Sequence, residues 1–274
     1  MTGVRFALVA MVVLAATAAC ADPDPDGSSV SESGALERIA AGTAEIVDLT
    51  HALSSDMPFW PNEAEANPFR HDTLAAHADG APIMAALRTP EHHGTHLDAP
   101  VHGGPGLASV DELTPGDLFG PAAVVDISAA AARNPNYELS VDDLLSWESR
   151  NGRLPDGAIV LAYSGWSRRW DDPVAYRNAD DEGAMHFPGF SPEAADFLVT
   201  ERSIRGIGID DFSVDPAAAD GFPVHGIVNG SGRFHLENVA NLHLLPEAGA
   251  FLIVAPIKIA GGSGGPVRIY AVLP

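Results

Sequence analysis

Cysteine is almost missing from this chain: Cys20 stands alone among 274 residues, so an internal disulfide is excluded and stability has to come from a packed core. Basic residues are scarce as well. Fifteen Lys and Arg face 37 Asp and Glu, a formal net charge of −22, and no local basic patch offsets it. Such a surface repels phosphate backbones, which excludes nucleic acid as a partner and leaves solubility as the plain role of the charge. Long apolar runs are missing too. The one run of note, "FALVAMVVLAA" behind Arg5, falls well short of the roughly 20 residues a membrane-spanning helix needs. With 46% hydrophobic and 19% charged residues, the remainder has the composition of a protein that buries a core.

The basic start, apolar run and following small residues read as an export signal over residues 1–20. Cys20 follows "TAA", as the acceptor of a bacterial lipoprotein would, but Thr17 stands where such signals usually carry Leu. Lipid anchoring at Cys20 and plain secretion after cleavage near Ala19 or Ala21 both stay open. An anchor there would be the only link to a membrane. Residues 21–44 begin with "ADPDPDGSSVSESG", which has little to bury and reads as a flexible tether. Residues 45–274 follow without another linker and are expected to form one domain.

Within that domain strands dominate. Segments of strand character are "EIVDLTHAL" from Glu45, "IMAALRT" (83–89), "AAVVDIS" (122–128), "AIVLAYS" (158–164), "IRGIGID" (204–210), "AFLIVAPIKI" (250–259) and "VRIYAVL" (267–273). Two helices carry start signals. Ser140 leads "VDDLLSWESRNG", which stops at Asn151 and Gly152, and Ser191 with Pro192 leads "EAADFLVTERS". Strands with helices between only some of them predict an α/β domain with a mixed, partly barrel-like central sheet flanked by helices. No internal repeat is visible.

Chemistry concentrates in "EHHGTHLDAPVHGG", residues 91–104, where four histidines and an aspartate fall between His92 and His102. His92, His96, Asp98 and His102 are donors suited to Zn²⁺, Mn²⁺ or Fe²⁺. Gly94 allows a sharp turn, and Pro100 disfavours helix at Ala99, so the stretch reads as a shaped loop following a strand that ends near Thr89. Asp210, Asp211 and Asp215 in "GIDDFSVD" have two readings: carboxylates steadying imidazoles, or, more simply, solvated turn residues, with Asp210 the one to shape a site.

The segment "HHGTHLDAPVH" resembles the H-x-G-T-H-x-D-x-P-x-H signature of the metal-dependent cyclase family, which includes kynurenine formamidases and isatin hydrolases. The likeness extends through "MPFWPNEAEANPF", "YSGWSRRWDDPVAY", "GIGIDDFSVDP", "FPVHGIVNGSGRFHLENVANL" and "APIKIAGGSGGPVRIYAVLP". It implies a swivelling β/β/α type of fold. By resemblance His92, His96 and Asp98 are ligands of one metal, Asp98 bridges to a second, and His225 and Glu237 complete it, with one or two ions, Zn²⁺ or Mn²⁺. His235 is a rival, since on a strand it would share a face with Glu237. His102 matches the acid or base of the reaction, with a ligand role as its alternative, and Trp60 matches an aromatic that packs on substrate, or else a core Trp.

The implied activity is metal-activated hydrolysis of a non-peptide C–N bond in a small cyclic or aryl amide or lactam, in a homodimer or homotetramer. An exported protein has little kynurenine pathway to serve, which favours the isatin hydrolase type. Two other readings remain: an exported metal- or ligand-binding lipoprotein without catalysis, and a cyclase or dehydratase acting on a small metabolite. "GGSGG" at 261–265 satisfies G-x-S-x-G, but no acid and His follow Ser263, so a serine hydrolase is excluded and the stretch is a loop into the last strand.

Overall fold

The computed structural model describes residues 32–61, 69–80 and 82–274. The export signal, Cys20 and the first part of the tether lie outside the described residues. Among the described residues the strands are β1 Ile46–Asp48, β2 Arg70–Ala75, β3 Met84–Arg88, β4 His96–Asp98, β5 Phe119–Asp126, β6 Glu138–Leu139, β7 Ile159–Tyr163, β8 Gly189–Phe190, β9 Gly206–Ile209, β10 Phe234–Glu237, β11 Ala248–Pro256 and β12 Gly264–Val272. The α-helices there are α1 Glu32–Ala41, α2 Pro100–Gly103, α3 Ser128–Ala131, α4 Val141–Asn151, α5 Pro173–Arg177, α6 Pro192–Thr200 and α7 Pro223–Gly230. None is long and apolar enough to cross a membrane.

Each segment of expected strand character holds an observed strand, and both expected helices start where their caps predict. The Ser140 hydroxyl accepts from the Asp143 amide at 3.2 Å while the Asp143 carboxylate accepts from the Ser140 amide at 2.8 Å, a reciprocal pair that satisfies two otherwise unpaired donors of α4. Ser191 caps α6 from one side only, its hydroxyl accepting from the Ala194 amide at 3.0 Å. Trp147 on α4 is buried and donates its indole N–H to the Val124 carbonyl, which ties the helix to β5.

The expected mixed barrel is present. Seven strands close in the order β12, β11, β5, β7, β9, β10, β4, with β4 returning to β12, and β1 pairs with the far end of β12. β5, β7, β9 and β10 run parallel, joined through crossovers that carry α4, α6 and α7, while the remaining pairings are antiparallel. Alternation along each strand then sorts the side chains into two cores. Leu97, Val124, Leu161, Leu236, Leu252 and Ile269, drawn from strands all around the ring, pack together and therefore fill its interior. Val125, Val160 and Ile207 point outward against Leu144, Trp147, Leu198 and Val228 of the helices.

Two readings of the sequence need correction. Residues 32–41, inside the expected tether, form α1, because the apolar spacing of Ala35 and Ile39 buries against Phe251 and Val272 while Arg38 donates to the Leu273 carbonyl at 2.7 Å. The histidine stretch is only partly a loop. Residues 91–95 turn with Gly94 at φ 63°, but His96–Asp98 is strand β4, and Pro100 occupies the first position of α2 with Ala99 extended before it.

One half-buried histidine outside the signature makes stability depend on pH. His51 stacks on Trp170 with ring centroids 3.9 Å apart, and burial lowers its pKa from 6.5 to about 4, although Asp171 pulls the other way. The unfolded chain therefore takes up this proton first as pH falls. Its stabilising share is whole above about pH 6.5 and is lost towards pH 4, a difference of roughly 3 kcal/mol. Denaturant unfolding across pH 7 to 4 is expected to show this slope in the wild type, and His51→Phe, which keeps the stack, should flatten it.

Candidate metal centre

The site is built by strand register. On β4 the interior takes Leu97, which turns His96 and Asp98 outward; on β10 it takes Leu236, which turns His235 and Glu237 outward. β10 pairs antiparallel with β4 so that His235 lies opposite Asp98 and Glu237 opposite His96. Directly opposed residues on one face have Cβ atoms only about 5 Å apart. Two imidazoles and two carboxylates are thereby gathered on the outer wall. α2 and α7 pack over them and bring in His102 and His225.

His96, His225 and His92 each have one nitrogen already committed, which fixes the direction of the other. His96 donates from Nδ1 to the Gly94 carbonyl at 2.9 Å, leaving Nε2 at 3.3 Å from both Asp98 Oδ1 and Glu237 Oε2. His225 donates from Nδ1 to Asp215 Oδ2 at 2.6 Å, leaving Nε2 at 3.5 Å from Asp98 Oδ2 and 3.6 Å from Glu237 Oε1. The Ser263 hydroxyl donates to Glu91 Oε2 at 2.6 Å and accepts from His92 Nε2 at 2.9 Å, leaving His92 Nδ1 at 2.5 Å from Asp98 Oδ1. Lone pairs aimed at carboxylate oxygens repel unless a cation lies between them. The buried Nε2 of His96 and Nδ1 of His235 have no hydrogen-bond partner, and the donors divide into two groups, His92, His96, Asp98 and Asp98, His225, His235, Glu237. The residues fit a divalent metal, with Asp98 offering one oxygen to each group.

The electrostatics agree. Burial alone would lower the His225 pKa, but the hydrogen bonds to Asp215 and Asp98 and the field of Glu237 push it up to about 10. Burial likewise works against ionised Asp98, yet His235, His96 and His92 hold it well below the usual carboxylate range. Carboxylates that draw a proton onto His225 against its burial draw a divalent cation for the same reason.

The Cyclase family model matches residues 47–216, which is most of the chain. The isatin hydrolase of Roseibium aggregatum is 33% identical over 256 residues, covering 88% of this chain and 97% of that protein. This chain belongs to the cyclase family. The kynurenine formamidase of Salinibacter ruber is 26% identical over 228 residues, covering 81% of this chain and 95% of its own. Among solved structures, isatin hydrolase A from Labrenzia aggregata bound to benzyl benzoate superposes with a TM-score of 0.81 at 37% identity, over 87% of this chain and 97% of that one.

In this cyclase-family chain His92, His96, Asp98, His225 and Glu237 line a cavity of about 510 Å³, a size that suits a small aromatic ligand. Trp60 lines its wall and meets Phe187, Phe212 and Phe222 with ring centroids 6.0, 6.1 and 6.4 Å away. Trp60 thus packs on the aromatic core with part of its ring and faces the cavity with the rest. His102 stands beside the donor groups without belonging to either: its Nε2 is 3.7 Å from Asp98 Oδ2, and its side chain is 33% exposed to the cavity side. Burial lowers its pKa. His93, the remaining imidazole of the signature, is buried, lines the cavity and joins neither group.

The three aspartates are not solvated. Asp210, Asp211 and Asp215 are all buried, because the turn after β9 is held between Ser164 and Ser167, which donate to Asp210, Asn238, which donates to the Asp211 carbonyl, and α7, which donates to Asp215. Asp210 accepts from the Ser164 amide just past β7 and from the Ser167 amide in the 3₁₀ turn that follows. Asp215, rather than Asp210, reaches the site: it caps α7 by accepting from the Val224 and His225 amides and holds His225 Nδ1. Sequence reasoning missed Glu91 and Ser263 as supports for His92 and Asn229 as the support for His235. Glu91 adjoins His92 and Asn229 stands six residues before His235, but nothing local in the sequence ties Ser263 to His92.

Those supports carry a testable consequence. Ser263→Ala removes the hydrogen bond that orients His92, so metal affinity is expected to fall by about 10–100-fold, the usual cost of losing a group that holds a metal-ligating imidazole. Chelator competition measures it, and Ser263→Thr, which keeps the hydroxyl, should recover most of the loss.

Proposed function

We propose that this chain hydrolyses a C–N bond in a small cyclic or aryl amide, with isatin-type lactams as the first choice and aryl formamides as the second. The observation that carries the reading is the convergence of imidazole lone pairs on Asp98 and Glu237 at the floor of an aromatic-walled cavity. The similarity to isatin hydrolase and kynurenine formamidase, both named for amide cleavage, supplies the substrate class. Zn²⁺ or Mn²⁺ held by His92, His96, Asp98, His225 and Glu237 would supply a Lewis acid that polarises a carbonyl and makes water acidic near neutral pH.

The chain's own residues do the rest. Trp60, Phe212 and Phe222 offer flat apolar faces to an aromatic ring and exclude water from it. His102, at the edge of the donor groups, takes the proton from the attacking water and returns it to the departing nitrogen, giving a carboxylate and an amine. Export by residues 1–20, with or without a lipid on Cys20, supports the lactam over tryptophan breakdown products, and assembly as a dimer or tetramer goes with the same reading. Purified protein supplied with Zn²⁺ or Mn²⁺ should turn over isatin, and N-formylkynurenine more slowly. Metal-loaded protein that cleaves no member of a panel of small amides, lactams and esters sinks the proposal, and a panel hit on an ester alone would redirect it.

A further inference from the structure

We propose that His235 is a direct metal ligand: with Asp98, His225 and Glu237 it encloses one cation in four protein donors, while the position at His92, His96 and Asp98 keeps the room a reacting water needs. This rests on the reading of the cluster as a divalent metal centre. His235 is fully buried and does not line the cavity. Its Nδ1 lies 3.2 Å from Asp98 Oδ2 and 3.8 Å from Glu237 Oε1 and has no hydrogen-bond partner.

The tautomer follows from the network around the other nitrogen. Asn229 donates its amide N–H to the Arg233 carbonyl at 3.1 Å, which makes its Oδ1 an acceptor, and that oxygen stands 3.0 Å from His235 Nε2. Nε2 therefore carries the proton, and Nδ1 presents a lone pair to two carboxylate oxygens. A histidine kept only for packing would not be arranged this way, since lone pairs facing one another without a proton or cation are repulsive. A metal resolves the conflict at one stroke.

The two donor groups then differ in kind. Four protein donors complete a tetrahedral shell, which is the arrangement of a tightly held ion with no open place. The other group, His92, His96 and Asp98, with the second oxygen of Glu237 3.3 Å from His96 Nε2, lies open on the cavity, where the His92 side chain is 21% exposed and a water can reach. Asp98 belongs to both, Oδ1 towards His92 and His96 and Oδ2 towards His225 and His235. The buried ion would thus fix the orientation of the carboxylate that serves the open one.

The test is elemental analysis of the full chain after equilibration with Zn²⁺ and dialysis, for the wild type and His235→Gln. The wild type should retain two equivalents and the variant one, its affinity for the other weakened by more than about 100-fold, the upper end of what loss of an outer support costs. Long-range ¹H–¹⁵N spectra of the wild type during Zn²⁺ addition give a readout without mutation, the His235 Nδ1 resonance shifting on coordination. Wild type that takes up no zinc overturns the metal-centre reading itself. Two equivalents retained by both proteins, or a His235 resonance unmoved as zinc fills the site, overturns only the assignment of His235.

Discussion

His96→Ala is expected to remove bound metal and turnover together, lowering kcat/KM by about 10⁴-fold or more, equivalent to roughly 5.5 kcal/mol of transition-state stabilisation. The size of the effect follows from where Nε2 points. It lies 3.3 Å from an oxygen of Asp98 and 3.3 Å from an oxygen of Glu237, so it is the one imidazole nitrogen that faces both carboxylates from the strand carrying the signature. Removing it leaves two buried carboxylates with one neutral donor fewer and a weaker hold on any cation between them. Stability should respond as well. A ligand that binds only the folded state at 1,000 times its Kd adds about 4 kcal/mol, so Zn²⁺ should raise the wild-type Tm and do little for His96→Ala. Metal content, rate and Tm are then three readings of one event. A variant that keeps its metal and its rate would show that the imidazoles converge for another reason.

The part of this site legible in the sequence is the part encoded within a short span. The donors His92, His96, Asp98 and His102 fall in eleven residues, and their types announce a metal before any fold is known. The second group is different in kind. His235 meets Asp98 only because β10 pairs with β4 in one register, and a shift by a single residue would turn Leu236 outward and both His235 and Glu237 into the barrel. No local pattern states that register. The resemblance selected His225 for the second group. The structure brings His225 and His235 to it together, because one arrives on a helix and the other on a strand.

The fold was readable to a similar degree. The caps of α4 and α6 and the β-branched runs of β5, β7 and β12 are local signals, and each led to the right element. β4, β10 and α7 were not visible as such. They are short, and they alternate or interrupt apolar residues with the polar groups the site uses, so their pattern serves chemistry more than packing. α1 escaped notice for another reason: its acidic and small residues resemble a linker, and only contact with Phe251 and Val272 makes its few apolar side chains count. The aspartates after β9 show the same limit. "GIDDFSVDP" looks like a wet turn, but long-range partners bury it: Ser164 and Ser167 over Asp210, and α7 over Asp215, which holds that helix by its first amides.

His102 decides whether the protein is a catalyst or a holder of metal. Its position is set by α2, where Pro100 opens the helix and Gly103 lets it approach α7: a Cβ on Gly103 would lie 2.7 Å from the His225 carbonyl oxygen, nearer than any side chain permits. The close packing puts the His102 ring 4.1 Å from that of His92 and 5.5 Å from that of His225, yet outside both donor groups. A group so placed can pass a proton to and from whatever occupies the cavity without giving up a bond to the metal. His102→Ala is therefore expected to lower kcat by about 10²–10⁴-fold, the range for loss of a positioned acid or base, while metal content stays at the wild-type level. If His102 were instead a ligand, the same substitution would strip metal and rate in parallel. If the protein only bound its ligand, affinity measured by calorimetry would hold and there would be no rate to lose. The contrast with His96→Ala is the sharpest available, because the two histidines are six residues apart in the signature and should separate holding the metal from moving the proton.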